Sequence, residues 1–242
     1  MPLIKPSFRD TKPGWYAFHR GHVNSIIRQQ AEVALIGDSL VANLSRYPVV
    51  WDRHLKPLNA VNCGIGGDRT QHALWRVDHM YLPASVSVVV IHCGTNNLDF
   101  NVYQPIDIAN SVVSIGSTLK ERNPNLKFAV AGILPRDLGI SDRRLKAQQT
   151  NKILEKLCWE NEFRYIGQSN RWVTNSGELN QSLYYKDNLH LNKEGCKLFA
   201  MQIEQAVKSL TPSSSPISSS PPSSPPSTPS PPYSPPPSSS PP

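Results

Sequence analysis

Long hydrophobic runs are missing from this chain. No stretch approaches the roughly 20 consecutive apolar residues that a membrane-spanning helix needs. The opening Met-Pro-Leu-Ile-Lys-Pro-Ser-Phe-Arg-Asp has no apolar core of the kind a secretory signal carries. Cysteine is scarce as well. Cys63, Cys93, Cys158 and Cys196 form no CxxC pair and no paired metal-ligand spacing, so neither a disulfide framework nor a zinc site is expected. Cys63 and Cys93 end apolar runs and read as buried thiols. These absences favour a reducing, cytoplasmic compartment.

Charge is absent from one whole region. The 32 residues from Thr211 to Pro242 contain 14 Pro and 14 Ser, and otherwise only Thr211, Ile217, Thr228 and Tyr233. Such a segment buries too little apolar surface to offset its ordering entropy, so disorder with polyproline II character is expected. Its Ser-Pro and Pro-x-x-Pro strings suit an SH3-type domain or a proline-directed kinase, although a flexible spacer is the simpler reading. The net charge of +7 therefore lies in the rest of the chain. Its basic residues are scattered, as Arg143-Arg144 and Lys197 illustrate, and read mainly as a solvated surface. The partners such a surface would attract are nucleic acid or an anionic membrane. The chain divides into a leader (1–14), one domain (15–210) and the Pro/Ser tail (211–242).

What the domain does contain is alternation. Val33-Ala-Leu-Ile ends at Gly37 and is followed by Asp38-Ser39, where a turn leads into Leu40-Val41-Ala42-Asn43-Leu44. Four further apolar runs, residues 58–63, 86–93, 127–134 and 163–166, read as strands buried on both faces. Helical segments lie between them. Ile108, Val112, Ile115 and Leu119 make one apolar stripe, and Phe199, Ile203, Ala206, Val207 and Leu210 another. Thr70 and Asn192 stand where helix caps belong, and residues 5–30 read as a polar-aromatic helix beside the sheet. Strands alternating with helices predict an α/β fold in three layers, with a flavodoxin-like five-stranded parallel sheet of order 2-1-3-4-5. That order brings the ends of strands 1 and 3, with Ser39 and Asn96, to the point where ligands bind in such sheets.

Ser39 on its own is an N-cap, as most serines before helices are. Asp187 and His190, in Tyr184-Tyr-Lys-Asp-Asn-Leu-His190, are weak evidence taken singly. Together the three types fit one chemistry. A serine hydroxyl needs a base, a neutral imidazole is that base near pH 7, and a carboxylate on the other ring nitrogen fixes its tautomer. The oxyanion that follows needs fixed donors, which the N–H groups of Ser39 and Gly67 and the amide of Asn96 are placed to supply. Gly64-Ile-Gly-Gly-Asp-Arg69 also invites a nucleotide-binding reading, but Arg69 stands where the last glycine of G-x-G-x-x-G belongs. His72, His79 and His92 read as packing or surface residues, and Trp51 and Trp75 as core. The competing class is a binding module that has kept such a fold.

Gly37-Asp-Ser-Leu40, Gly64-Ile-Gly-Gly-Asp68, Gly94-Thr-Asn-Asn97 and Asp187-x-x-His190 resemble, in order, the four blocks of the SGNH (GDSL) hydrolases. The longer strings, among them Asn62–Asp68 and Thr70–Arg76, are most similar to the branch of the intracellular platelet-activating-factor acetylhydrolase type Ib catalytic subunits. Esterase domains of some LINE-type retrotransposon proteins are similar too. The resemblance implies Ser39 as nucleophile, Asp187 and His190 as its partners, Gly67 and Asn96 as oxyanion donors, and no cofactor or metal. It implies an acyl pocket closed by Leu40 and Leu189, hence short acyl groups, acetyl above all, on a small ester or lipid. A homodimer is a further implication. The expected function is a serine esterase, with RNA or anionic-membrane binding as the alternative role. Gly-Asp-Ser-Leu lacks the second glycine of Gly-x-Ser-x-Gly, so the nucleophile elbow of the α/β-hydrolases is not expected.

Overall fold

Along each strand the apolar residues divide between two cores, as a two-residue period dictates. In the computed structural model, which describes residues 4–211, Val33, Leu35, Val88 and Val90 face one layer. Ala34, Ile36, Val89 and Ile91 face the other. The strands are β1 (Val33–Gly37), β2 (Ala60–Gly64), β3 (Val88–His92), β4 (Lys127–Ala131) and β5 (Arg164–Ile166). They pair in parallel in the order β2-β1-β3-β4-β5, which is the predicted topology. The register sets Gly37 beside Gly64 and His92, so the carboxyl ends of three strands lie level and the turns after them meet.

One face is covered by α3 (Pro48–His54) and α7 (Lys193–Leu210), through Val50, Phe199 and Ile203 among others. The other carries α1 (Trp15–Gln29), α4 (Thr70–Asp78), α5 (Pro105–Arg122) and α6 (Asp142–Glu160), through Ile26, Leu74, Val112 and Leu154. The stripe Ile108, Val112, Ile115 and Leu119 is buried as expected. Asn192 caps α7 by accepting from the N–H groups of Glu194 and Gly195 at 3.0 and 3.1 Å. Among the described residues no helix is long and apolar enough to cross a membrane.

The differences from the sequence reading are local. β3 takes in only residues 88–92 of its apolar run, and β4 is shorter than its run because residues 132–134 leave the sheet once β5 ends as their partner. The lead-in helix starts only at Trp15, behind Gly14 in the left-handed region. Residues 4–14 form an irregular strap over α4, where Ser7 N–H donates to Gln71 O at 3.0 Å and Phe8 packs edge-on to Trp15 and Trp75. Thr70 is not a cap but the first residue of α4. Its N–H donates to the side chain of Asn97, and Arg69 N–H to His72 Nδ1, each at 3.0 Å. Trp51 and Trp75 are half-buried rather than core. The disorder and partner expectations for 212–242 lie outside the described residues.

Candidate active site

Ser39 opens α2 (Ser39–Ala42), a single turn of helix directly after β1. Gly37 makes that closeness possible: a Cβ there would lie 2.3 Å from both the His92 carbonyl oxygen and Val41 Cγ2. Asp38 caps the turn, its Oδ1 accepting from Leu40 N–H at 2.9 Å. The N–H of Ser39, at the first helical position, has no intrahelical acceptor. Asp38 is buried, and desolvation pushes its carboxyl up to about 7 against the hydrogen bond from Leu40.

Asp187 and His190 come from a loop closed by the Tyr184–Leu191 bridge and anchored on the α7 cap. Asp187 organises the turn itself. Its Oδ1 accepts from the N–H groups of Leu189 and His190 at 3.0 and 2.9 Å, an Asx turn, while Asn188 takes a left-handed φ of 53° that asparagine tolerates. With Oδ1 so occupied, Oδ2 faces the imidazole and lies 2.7 Å from His190 Nδ1. His190 Nε2 then stands 3.0 Å from Ser39 Oγ. Burial alone would raise the Asp187 carboxyl, but the hydrogen bonds from the His190 ring and the two backbone N–H groups hold it below its ordinary value. A second strand of support comes from Asp137 N–H, which donates to Asn188 O at 2.9 Å and ties the loop after β4 to this one.

Opposite the imidazole lie the turns after β2 and β3. Ile65–Asp68 is a tight turn closed by Asp68 N–H to Ile65 O at 3.1 Å, with Gly67 at φ 77°. Asn96 donates one amide hydrogen to Asp68 O at 2.9 Å, which leaves the other available. The turn is bolted down from below. The carboxylate of Asp68 is buried, with Arg76 Nε 3.0 Å from Oδ2 and Trp15 Nε1 donating to Oδ1 at 2.8 Å. Arg76 also donates to the carbonyls of Cys63 at 2.5 Å and Gly37 at 3.0 Å, so one guanidinium joins the ends of β1 and β2 to the turn.

The structure thus gathers Ser39, Gly67, Asn96, Asp187 and His190 at one sheet edge. Leu40 is packed in the core beneath Ser39, and Leu189 is half-buried beside His190. The sequence reading missed Arg76, Asp68, Arg9 and Lys12. Arg76 could have been found, since it stands among Ala73, Leu74 and Val77 on the buried face of α4, where an arginine needs a partner. The other histidines stand apart. His92 is buried against Phe199 and desolvation takes its pKa down to about 4, while His79 stacks on Trp75. Among the described residues no group of three metal-ligating side chains occurs.

The geometry agrees with what similar proteins show. The GDSL-like Lipase/Acylhydrolase family profile matches residues 35–198. Human platelet-activating factor acetylhydrolase IB subunit alpha1 is 32% identical over 183 residues, 75% of this chain and 77% of that one. Two solved structures share the fold. A GDSL-like lipase from Bacteroides thetaiotaomicron has a TM-score of 0.62 at 21% identity, covering 79% of this chain and 97% of its own. A carbohydrate acetylesterase from Sinorhizobium meliloti has 0.57 at 15%, covering 74% and 99%. The chain belongs to the GDSL-like lipase/acylhydrolase family and is a carboxylic ester hydrolase.

Proposed function

We propose that the chain hydrolyses short-chain esters, acetyl esters above all, through an acyl-enzyme on Ser39. The observation that carries this reading is the unbroken relay from Ser39 Oγ through His190 to Asp187, at 3.0 and 2.7 Å. His190 Nε2 takes the hydroxyl proton as Oγ bonds to the ester carbonyl carbon. Asp187 on Nδ1 stabilises the imidazolium that forms. The carbonyl oxygen, now an oxyanion, is met by the N–H groups of Ser39 and Gly67 and the free amide hydrogen of Asn96. Collapse breaks the bond to the alcohol, which leaves with the proton from His190. Water, deprotonated by the same imidazole, then releases the acid and frees Ser39.

Leu40 and Leu189 flank the serine and the histidine in sequence and are assigned the acyl side, where bulk limits chain length. The names of the human relative and the Sinorhizobium structure both carry an acetyl group, which supports that assignment. Four unbridged, buried cysteines support a cytoplasmic setting. Fluorophosphonate labelling is the test. Wild type is expected to label and Ser39→Ala to be inert to the probe and to p-nitrophenyl acetate. Acetate is expected to turn over faster than butyrate or octanoate, and the reverse order would leave the serine assignment standing but remove the acetyl preference.

A further inference from the structure

The strap before α1 does more than cover α4. Lys12 Nζ donates to the carbonyl oxygen of Gly66 at 2.6 Å, and Arg9 Nη1 donates to the same oxygen at 3.0 Å. Arg9 is itself steadied by Asp68, 3.3 Å from Oδ1. The half-buried Gly66 carbonyl has two lone pairs and can accept both donors, yet two cations on one oxygen repel each other, so the charge placed there is in excess of what its hydrogen bonds require.

The turn explains what the excess achieves. With its closing hydrogen bond between Asp68 and Ile65 and Gly67 at φ 77°, Ile65–Asp68 follows the type II pattern. Its middle peptide joins the Gly66 carbonyl to the Gly67 N–H and takes no part in that bond. Because the peptide is trans and planar, its C=O and N–H point in opposite directions. Rotating it would exchange the two ends, and two adjacent glycines put little steric resistance in the way. Among the described residues the Gly67 N–H donates to no other group. The peptide also lies between strap and serine: a Cβ on Gly66 would be 3.7 Å from both Lys12 Nζ and Ser39 Cβ.

We propose that Arg9 and Lys12 are positioning residues for the oxyanion donor: by holding the Gly66 carbonyl they keep the Gly67 N–H turned toward the reacting ester. Charge at the carbonyl end also polarises the peptide and strengthens its N–H as a donor. The inference rests on the reading of Ser39 as nucleophile and Gly67 as donor. It makes the leader part of the catalytic unit.

The experiment compares the full chain with Arg9→Gln, Lys12→Met, the double variant and Lys12→Arg, on p-nitrophenyl acetate. Removing a whole donor costs about 10²–10³ in kcat. A donor left free to turn away should cost about tenfold in each single variant and about a hundredfold in the double. KM should stay within about twofold, Tm within a few degrees, and Lys12→Arg should restore most of kcat. The rate of fluorophosphonate labelling should fall in parallel, since the phosphoryl oxygen uses the same donors. Unchanged kcat in the double variant, with Ser39→Ala inert, overturns the role of the strap alone. A kcat loss that tracks a large drop in Tm and is not rescued by Lys12→Arg also overturns it, as a structural effect. Wild-type activity in Ser39→Ala would remove the nucleophile reading and this inference with it.

Discussion

Ser39 stands on buried charge, whereas its base stands on a turn half open to water. Beneath the serine, the side chains of Asp68 and Arg76 are fully buried: Arg76 reaches the ends of β1 and β2, and Asp68 holds Arg76 of α4 and Trp15 of α1. Across the site, the side chains of Asp187 and His190 keep 49% and 31% of their exposure, and Asp187 is held mainly by backbone N–H groups two and three residues on. The first half is therefore built by the whole fold and the second by its own local sequence. Breaking the first should cost global stability. Breaking the second should leave a folded protein that does not turn over.

Asp187→Asn is the widest test of that contrast. The amide can still accept from Leu189 and His190, so the turn survives, but the imidazole loses its charge partner and its fixed tautomer. A fall in kcat of about 10⁴, with Tm within about 2 °C of wild type, is the expected result. A Tm loss as large as that of a core variant would mean that the turn is not local after all. Arg76→Met makes the opposite cut. It leaves Asp68 as a buried carboxylate short of its main partner, and breaking such a pair costs about 3–5 kcal/mol. Thermal unfolding should move down by about 10 °C for a domain of this size. Adding Asp68→Leu to Arg76→Met should recover part of that loss, because no buried charge is then left unpaired.

The same contrast explains what could be read from the sequence. Topology was legible because the strands are apolar on both faces and the helices on one, so Val33–Ile36 and the stripe of α5 report their surroundings directly. Asp187 and His190 were legible because the local turn that joins them fits within four residues. Strand ends were not, since β4 stops where its neighbour β5 stops, and that is a fact about pairing. Nor was the floor of the site. The partners of Arg76 are Gly37, Cys63 and Asp68, which lie 39, 13 and 8 positions away, and nothing in local spacing joins them. Arg9 and Lys12 were hidden the same way, 57 and 54 residues from the carbonyl they share.

Asp38 tests the contrast through pH. Burial raises its carboxyl to about 7, well above an ordinary aspartate near 3.9. Between those values the unfolded chain has released the proton while the folded chain keeps it. Stability from this group is full below about pH 4 and is lost as pH rises through about 7. Asp187 has the opposite sign, since its lowered pKa gives stability above the ordinary value that is lost as pH falls through the depressed one. Asn at position 38 cannot ionise, yet it keeps the oxygen that caps α2. Between pH 5 and pH 8 the melting advantage of Asp38→Asn over wild type should therefore grow by about 3 kcal/mol, or about 8 °C, because the folded carboxyl gives up its proton only near 7. A melting difference that stays constant from pH 5 to pH 8 would place Asp38 with the solvated carboxylates. The buried half of the site would then end at Asp68.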